Sequence, residues 1–260
     1  MLCTAARIPL VLVALVLALA TSARAALFRS PNVKSLSTKT FRKHVQGSDK
    51  LTVAAFTAPW CGYCKKLGPD FDKVADSLKG LVNVVNVDCD QDENKPLCGQ
   101  EGIQGFPTLK VQPIFPGGSA PSRSYDGART AKDIIAAATS SMPTFVKRAG
   151  TASEVEALRE KAATKPVSLL FTSAGKVTPL YKALSTDFYR GIDFYAARDS
   201  KVGEEAMKAF GVDKTPALLV LQGGEVTKYD GPLKYDKLRA FFEPFVKKKG
   251  GKRNADHSEL

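Results

Sequence analysis

Cys61 and Cys64 stand three residues apart where the pattern of the chain changes period. Before them, residues 51–57 form a continuous apolar run, the kind found in strands covered on both faces of a sheet. After them, residues 65–79 carry apolar side chains at helical spacing. A strand that passes into a helix through C-x-x-C puts both sulfurs on the first helical turn, where residues three apart are neighbours. Such a pair can close as a disulfide and open again. The helix start also offers unpaired backbone N–H groups and the positive dipole end, both of which favour a thiolate, the attacking species. The pattern therefore predicts an α/β unit with a thiol–disulfide redox pair at its strand-to-helix junction.

The alternation of strand and helix runs through the chain twice. In the first half, strands are predicted over residues 33–36, 51–57, 81–87, 108–111 and 123–125, the last at a sheet edge. Helices are predicted over 38–46, from 61 onward with Pro69 as a kink, over 93–101 and over 131–141. The second half repeats the order, with strands at 144–147, 167–172, 192–196, 217–221 and 226–229. Its helices fall at 153–163, 176–184, 201–210 and 235–246, and Pro143 marks the boundary. Two tandem α/β sandwiches with largely parallel central portions are expected.

The two ends read as address rather than fold. Arg7, the short apolar stretch 8–20 and Ala23-Arg24-Ala25 have the form of a secretory signal over residues 1–25, with Ala26 as the expected mature start. The apolar stretch is too short for a membrane span, which takes about 20 residues. His257-Ser258-Glu259-Leu260 resembles the retrieval tetrapeptide of the endoplasmic reticulum lumen, with Ser258 in place of the usual Asp. That oxidising compartment suits a cysteine pair that cycles with a disulfide. The net charge is +12, and much of the excess lies in Lys247-Lys248-Lys249 and Lys252-Arg253. Residues 247–260 therefore read as a solvated basic tail that presents the tetrapeptide. No aromatic residues interleave these charges, which argues against nucleic acid as a partner.

Three longer motifs carry a resemblance. Ala58-Pro59-Trp60-Cys61-Gly62-Tyr63-Cys64-Lys65-Lys66-Leu67-Gly68-Pro69, Gly105-Phe106-Pro107-Thr108 and Tyr125-Asp126-Gly127-Ala128-Arg129-Thr130 resemble the catalytic domain of protein disulfide isomerases, in the thioredoxin superfamily. Asp88-Cys89-Asp90 with Leu97-Cys98 is similar to small fungal two-domain members. The second half resembles a non-catalytic thioredoxin-like domain. The resemblance implies a catalytic thioredoxin domain over 26–142 and a second, lacking C-x-x-C, over 143–246. It implies Cys61 as nucleophile and Cys64 as the resolving thiol, supported by Trp60, Gly62, Tyr63 and Lys65. Phe106 and a cis Pro107 are implied to pair with an extended substrate, and Arg129 to approach Cys64. The implied substrates are secretory polypeptides. Implied partners are glutathione or a luminal thiol oxidase and a retrieval-signal receptor, with no cofactor or metal. A luminal chaperone or partner-binding module, with secondary redox chemistry, is the alternative, and a dedicated reductase is a further one.

Two positions depart from the family. Tyr63 stands where a histidine is usual and cannot carry the positive charge that favours a thiolate, so a less oxidising couple is expected. Ala55 occupies the place of the buried acid six residues before the first cysteine. Cys89 and Cys98 can pair without leaving an odd thiol once Cys3 is removed with the signal. They are either a structural disulfide or a second redox couple. The acids at 88, 90, 92 and 93 do not fit an EF-hand, since Glu93 sits where Gly is needed and Gly99 where Glu is needed. With His44 and His257 as the only histidines, neither a zinc site nor a cysteine-protease pair is expected.

Overall fold

The computed structural model describes residues 26–115, 118–119 and 121–246. The signal and tail readings, at 1–25 and 247–260, lie outside the described residues. The first half is built from β1 (Val33–Ser35), α1 (Thr38–Phe41, continued by a wider turn over Arg42–Gln46), β2 (Thr52–Thr57), α2 (Gly62–Ser77), β3 (Asn83–Asp88), α3 (Lys95–Gln100), β4 (Thr108–Gln112), β5 (Arg123–Ser124) and α4 (Ala131–Ser141). Its strands lie in the order β1-β3-β2-β4-β5.

The second half follows with β6 (Val146–Ala149), α5 (Ala152–Glu156), α6 (Leu158–Lys161), β7 (Val167–Thr172), α7 (Pro179–Phe188), β8 (Asp193–Arg198), α8 (Asp199–Lys208), β9 (Ala217–Gln222), β10 (Glu225–Tyr229) and α9 (Tyr235–Phe242). Its sheet, β10-β9-β7-β8-β6, has the same topology. The two halves are therefore structural repeats, each a mixed α/β layer fold.

In each sheet the first three strands in sequence run parallel, and the fourth pairs antiparallel with both the second and the fifth. The largely parallel expectation thus holds for the first three strands and gives way at the fourth, which runs against both its neighbours. Short connections such as Gly223-Gly224, which joins β9 to β10, permit only an antiparallel neighbour. The predicted helix over 153–163 is two pieces, because the backbone at Ala157 tightens to ψ −14° and its N–H reaches Ser153 and Val155 carbonyls. The helix expected at 176 begins at Pro179, with Thr178 accepting the Tyr181 N–H as its cap. Within α8, Gly203 adopts φ 81°, a conformation that glycine takes without strain, and the helix kinks there.

The core explains why the dithiol sits where it does. Every residue of β2 is buried. Val53 and Ala55 face Leu67, Phe71 and Val74 of α2 and Ile134 and Ala138 of α4. Ala54 and Phe56 face Phe41, Val45 and Leu97 on the other side. With both faces covered, β2 is pinned in register between β3 and β4. Its C-terminal end delivers Ala58-Pro59-Trp60 to the start of α2. Pro69 inside α2 lacks an N–H, so the Lys65 carbonyl loses its helical partner.

Cys89 and Cys98 are bonded to each other, 6.0 Å apart at Cα, and both lie in the core on the Phe56 side. This bond ties the end of β3 to α3. Replacing both cysteines by Ala is expected to cost about 2–3 kcal/mol. Chemical denaturation of that variant, beside wild type with the bond intact, measures the difference.

Candidate active site

Cys61 is the N-cap of α2, with extended backbone at φ −73° and ψ 115°. Its N–H is held by the Ala58 carbonyl at 3.1 Å. Its sulfur accepts the Cys64 backbone N–H at 3.2 Å, and its S–H donates to the Phe106 carbonyl at 3.5 Å. A sulfur in the cap position takes the place of the usual capping oxygen. That N–H and the positive end of the helix dipole both point at this sulfur.

Cys64, one turn further, has no exposed surface. Burial pushes its thiol up to about 12, and the hydrogen bond with Cys61 adds to this, while the Ala58 backbone and the Arg129 charge pull the other way. Cys64 therefore holds its proton at neutral pH. Neither sulfur is bonded to another cysteine.

The remaining expected residues converge on this pair to different degrees. The Phe106–Pro107 peptide is cis, as is Thr215–Pro216 at the matching place in the second half. Phe106 packs on Ala58, Cys61 and Cys64. Trp60 is 65% exposed, meets the Phe106 ring edge-on at 5.9 Å and donates its indole N–H to Asp90 at 2.9 Å. Arg129 reaches the Pro107 carbonyl at 3.1 Å, where its charge acts on Cys64. Tyr63 is 68% exposed and lies beneath the Lys66 ammonium at 5.6 Å. Lys65 is exposed, and its N–H joins the Cys61 carbonyl. Gly62 is also exposed and has open space where a Cβ would stand. Glycine is therefore not demanded there by packing.

Ala55 is fully buried among Leu67, Phe71 and Leu109. Two residues on, Thr57 donates its hydroxyl to the Asn86 amide oxygen at 2.7 Å, both side chains being buried. Neither group ionises near neutral pH, so this polar pair adds no acid beneath the dithiol.

The acids after β3 serve as loop acceptors. Asp88 takes the Asp90 N–H and the Gln91 amide, Asp90 takes Trp60, and Asp92 pairs with Lys95. Asp90 is a residue that the sequence reading missed. It fixes the exposed tryptophan beside the dithiol, but nothing local in the sequence distinguishes it from its acidic neighbours. Where the first half has its cysteines, the second has Thr172, the last residue of β7, followed by Ser173-Ala174-Gly175-Lys176, with no sulfur.

Residues 32–140 match the thioredoxin family model. The chain is 32% identical over 201 residues to protein disulfide-isomerase MPD1 of Saccharomyces cerevisiae, covering 72% of this chain and 63% of that one. It is 30% identical over 244 residues to protein disulfide isomerase-like 2-1 of Oryza sativa subsp. japonica, covering 88% and 64%. The chain spans between 43% and 63% of the length of the first three curated relatives it matches. Full-length ERdj5 shares its fold over 82% of this chain and 32% of its own, at a TM-score of 0.51 and 20% identity.

Proposed function

The chain belongs to the protein disulfide-isomerase family, and on that premise we propose that it is a thiol–disulfide oxidoreductase and isomerase of secretory proteins. The observation that carries this reading is the Cys61 sulfur at the N-cap of α2, facing the Phe106 carbonyl beside a buried, protonated Cys64. The Cys61 thiolate attacks one sulfur of a substrate disulfide. A Cys61–substrate bond forms, the substrate disulfide breaks, and the released sulfur takes up a proton. Cys64 then loses its proton and its sulfur attacks Cys61. The Cys61–Cys64 bond forms and the substrate's second sulfur leaves. The substrate gains two electrons and the dithiol loses two; the reverse sequence oxidises a substrate. Rearrangement results when a substrate thiol displaces Cys61 from the mixed disulfide.

Trp60 and Phe106 supply the apolar floor on which an extended peptide rests, and the backbone at Phe106–Pro107 supplies strand-like hydrogen bonds. Arg129 lowers the cost of the Cys64 thiolate during resolution. Residues 26–142 form the catalytic domain and 143–246 a second domain that carries no thiol. The endoplasmic reticulum lumen is the compartment, with glutathione or a luminal oxidase as electron partner and a retrieval receptor for the tail. The patterns at the two ends of the sequence support this. No helix among the described residues is long and apolar enough to cross a membrane.

Equilibration with glutathione, followed by alkylation and mass spectrometry, tests the reading. Cys61 and Cys64 are expected to titrate together as one two-electron couple. A pair that stays reduced at every glutathione ratio removes the proposal. In the same assay Tyr63→His is expected to make the couple more oxidising by about 30 mV or more, tenfold in the equilibrium constant. The imidazolium would stand at the helix start, beside the developing thiolate.

A further inference from the structure

Residues 27–32 run along α2 and meet it at three successive turns. At the first, the Leu27 carbonyl lies where a side chain on Gly68 would stand, 2.8 Å from that position. At the second, the Asp72 carboxylate accepts the backbone N–H groups of Arg29 (3.1 and 3.0 Å) and Ser30 (3.0 Å). At the third, one Asp76 oxygen accepts the Ser30 hydroxyl at 2.5 Å and the Asn32 amide at 2.8 Å. The Phe28 ring packs on Phe71 at 5.0 Å. Positions 68, 72 and 76 are four apart, so the glycine and both acids form one stripe on the helix. The stripe leads directly back to the dithiol, and there Leu27, like Phe106, packs against the cluster of Ala58, Cys61 and Cys64.

We propose that residues 27–32 are a strap that holds Leu27 over the dithiol, and that Leu27 is a positioning residue which keeps water from Cys64 and so slows the resolving step. This inference rests on the assignment of Cys61 and Cys64 made above. Resolution requires Cys64 to give up its proton before its sulfur can displace the substrate from Cys61. An apolar wall beside that sulfur withholds the solvent that would stabilise the thiolate. Burial is the largest influence on the Cys64 thiol, and Leu27 supplies part of it. Leu27 packs on Cys61 too, but there the Cys64 backbone N–H and the helix dipole also act on the sulfur, so the first attack depends less on Leu27 than the second. A slow second step lengthens the life of the mixed disulfide. That gives a substrate thiol time to displace Cys61, which favours rearrangement over net reduction.

Oxidised glutathione serves as the probe. The reduced full-length protein is mixed with it, acid-quenched, and the Cys61–glutathione adduct and the closed Cys61–Cys64 bond are counted by mass spectrometry. Three variants loosen the strap in different ways: Leu27→Ala, the double Asp72→Ala/Asp76→Ala, and Gly68→Ala. The last introduces a better helix former, so it displaces the strap without weakening α2. Resolution is expected to be about tenfold faster in each variant, with adduct formation changed by clearly less than that. In a Cys61→Ser background, alkylation of Cys64 is expected to rise by a similar factor, with its rate–pH profile moved to lower pH. Leu27→Met, which restores apolar bulk, is expected to return both to wild type. Unchanged or slower resolution in Gly68→Ala and Leu27→Ala overturns the inference, while a wild-type adduct leaves the Cys61 and Cys64 assignment standing. A wild-type protein that forms no adduct removes that assignment and the inference with it.

Discussion

Cys64→Ser is expected to accumulate a covalent adduct with disulfide-containing substrates, whereas Cys61→Ser forms none and loses at least about 10³-fold in reduction rate. The asymmetry follows from the positions of the two sulfurs. Cys61 caps α2, with the Cys64 N–H donating to it, at the place where a substrate sulfur can approach along Phe106 and Trp60. Cys64 has no exposed surface and holds its proton, so it cannot substitute as the attacking group. Without it, the mixed disulfide at Cys61 has no internal thiol to open it and waits for an external one. Non-reducing electrophoresis after acid quench separates the cases. An adduct with Cys61→Ser but none with Cys64→Ser would reverse the roles of the two thiols.

The dithiol, its strand-to-helix junction and the repeat of the fold were legible because each is carried by contiguous sequence. An apolar run, a C-x-x-C and a helical period lie side by side over residues 51–79. Phe106 and Arg129 entered only through resemblance, since nothing in their spacing from Cys61 says that the chain returns there. The structure shows the return. The Phe106 carbonyl meets the Cys61 sulfur, and Arg129 reaches the peptide behind Pro107. Leu27 was not found because it adjoins the expected cleavage point and its partners are 31 to 37 residues away, at Ala58, Cys61 and Cys64. The acids at 72 and 76 did carry a signal, two carboxylates one turn apart on a helix. Same-sign neighbours at that spacing cost stability unless something neutral donates to them, and here Arg29, Ser30 and Asn32 do. Helix bounds in the second half drifted because Ala157 and Gly203 alter the backbone without changing the apolar period.

Lys50→Ala is expected to destabilise the protein by about 2–3 kcal/mol at pH 7, although Lys50 lies far from the dithiol in the fold. Lys50 sits just before β2, in the first half, and donates to the Gly80 carbonyl at 2.6 Å and to the Tyr235 hydroxyl at 2.8 Å. Tyr235, on α9 of the second half, donates in turn to Asp187 on α7 at 2.5 Å. Its ring closes over Gly80, where φ is 79° and an added Cβ would lie 2.4 Å from the ring. This chain of contacts joins the two repeats. Burial outweighs pairing at both charged ends: it lifts the Asp187 carboxyl and lowers the Lys50 ammonium. The pair is therefore costly to bury yet more costly to break, because removing Lys50 leaves Asp187 with Arg239 and the Tyr235 hydroxyl as its remaining support. The value sits below the usual range for buried pairs, since all three side chains keep partial exposure. The sign of its pH dependence follows from Asp187. A carboxyl raised in the folded state favours folding below its unfolded value and loses that contribution as pH rises through its folded one. Loss of Lys50 raises it further, while Arg239 still lowers it and Asp49 still raises it. The gap between wild type and Lys50→Ala should then be small near pH 4 and widen toward pH 7. Urea unfolding at the two pH values measures it. A double Lys50→Met/Asp187→Leu variant, which removes both charges and keeps apolar bulk, should recover most of the loss. A gap that stays constant with pH would mean that Lys50 acts through its bond to Gly80 and its packing on Tyr235 rather than through the Asp187 charge.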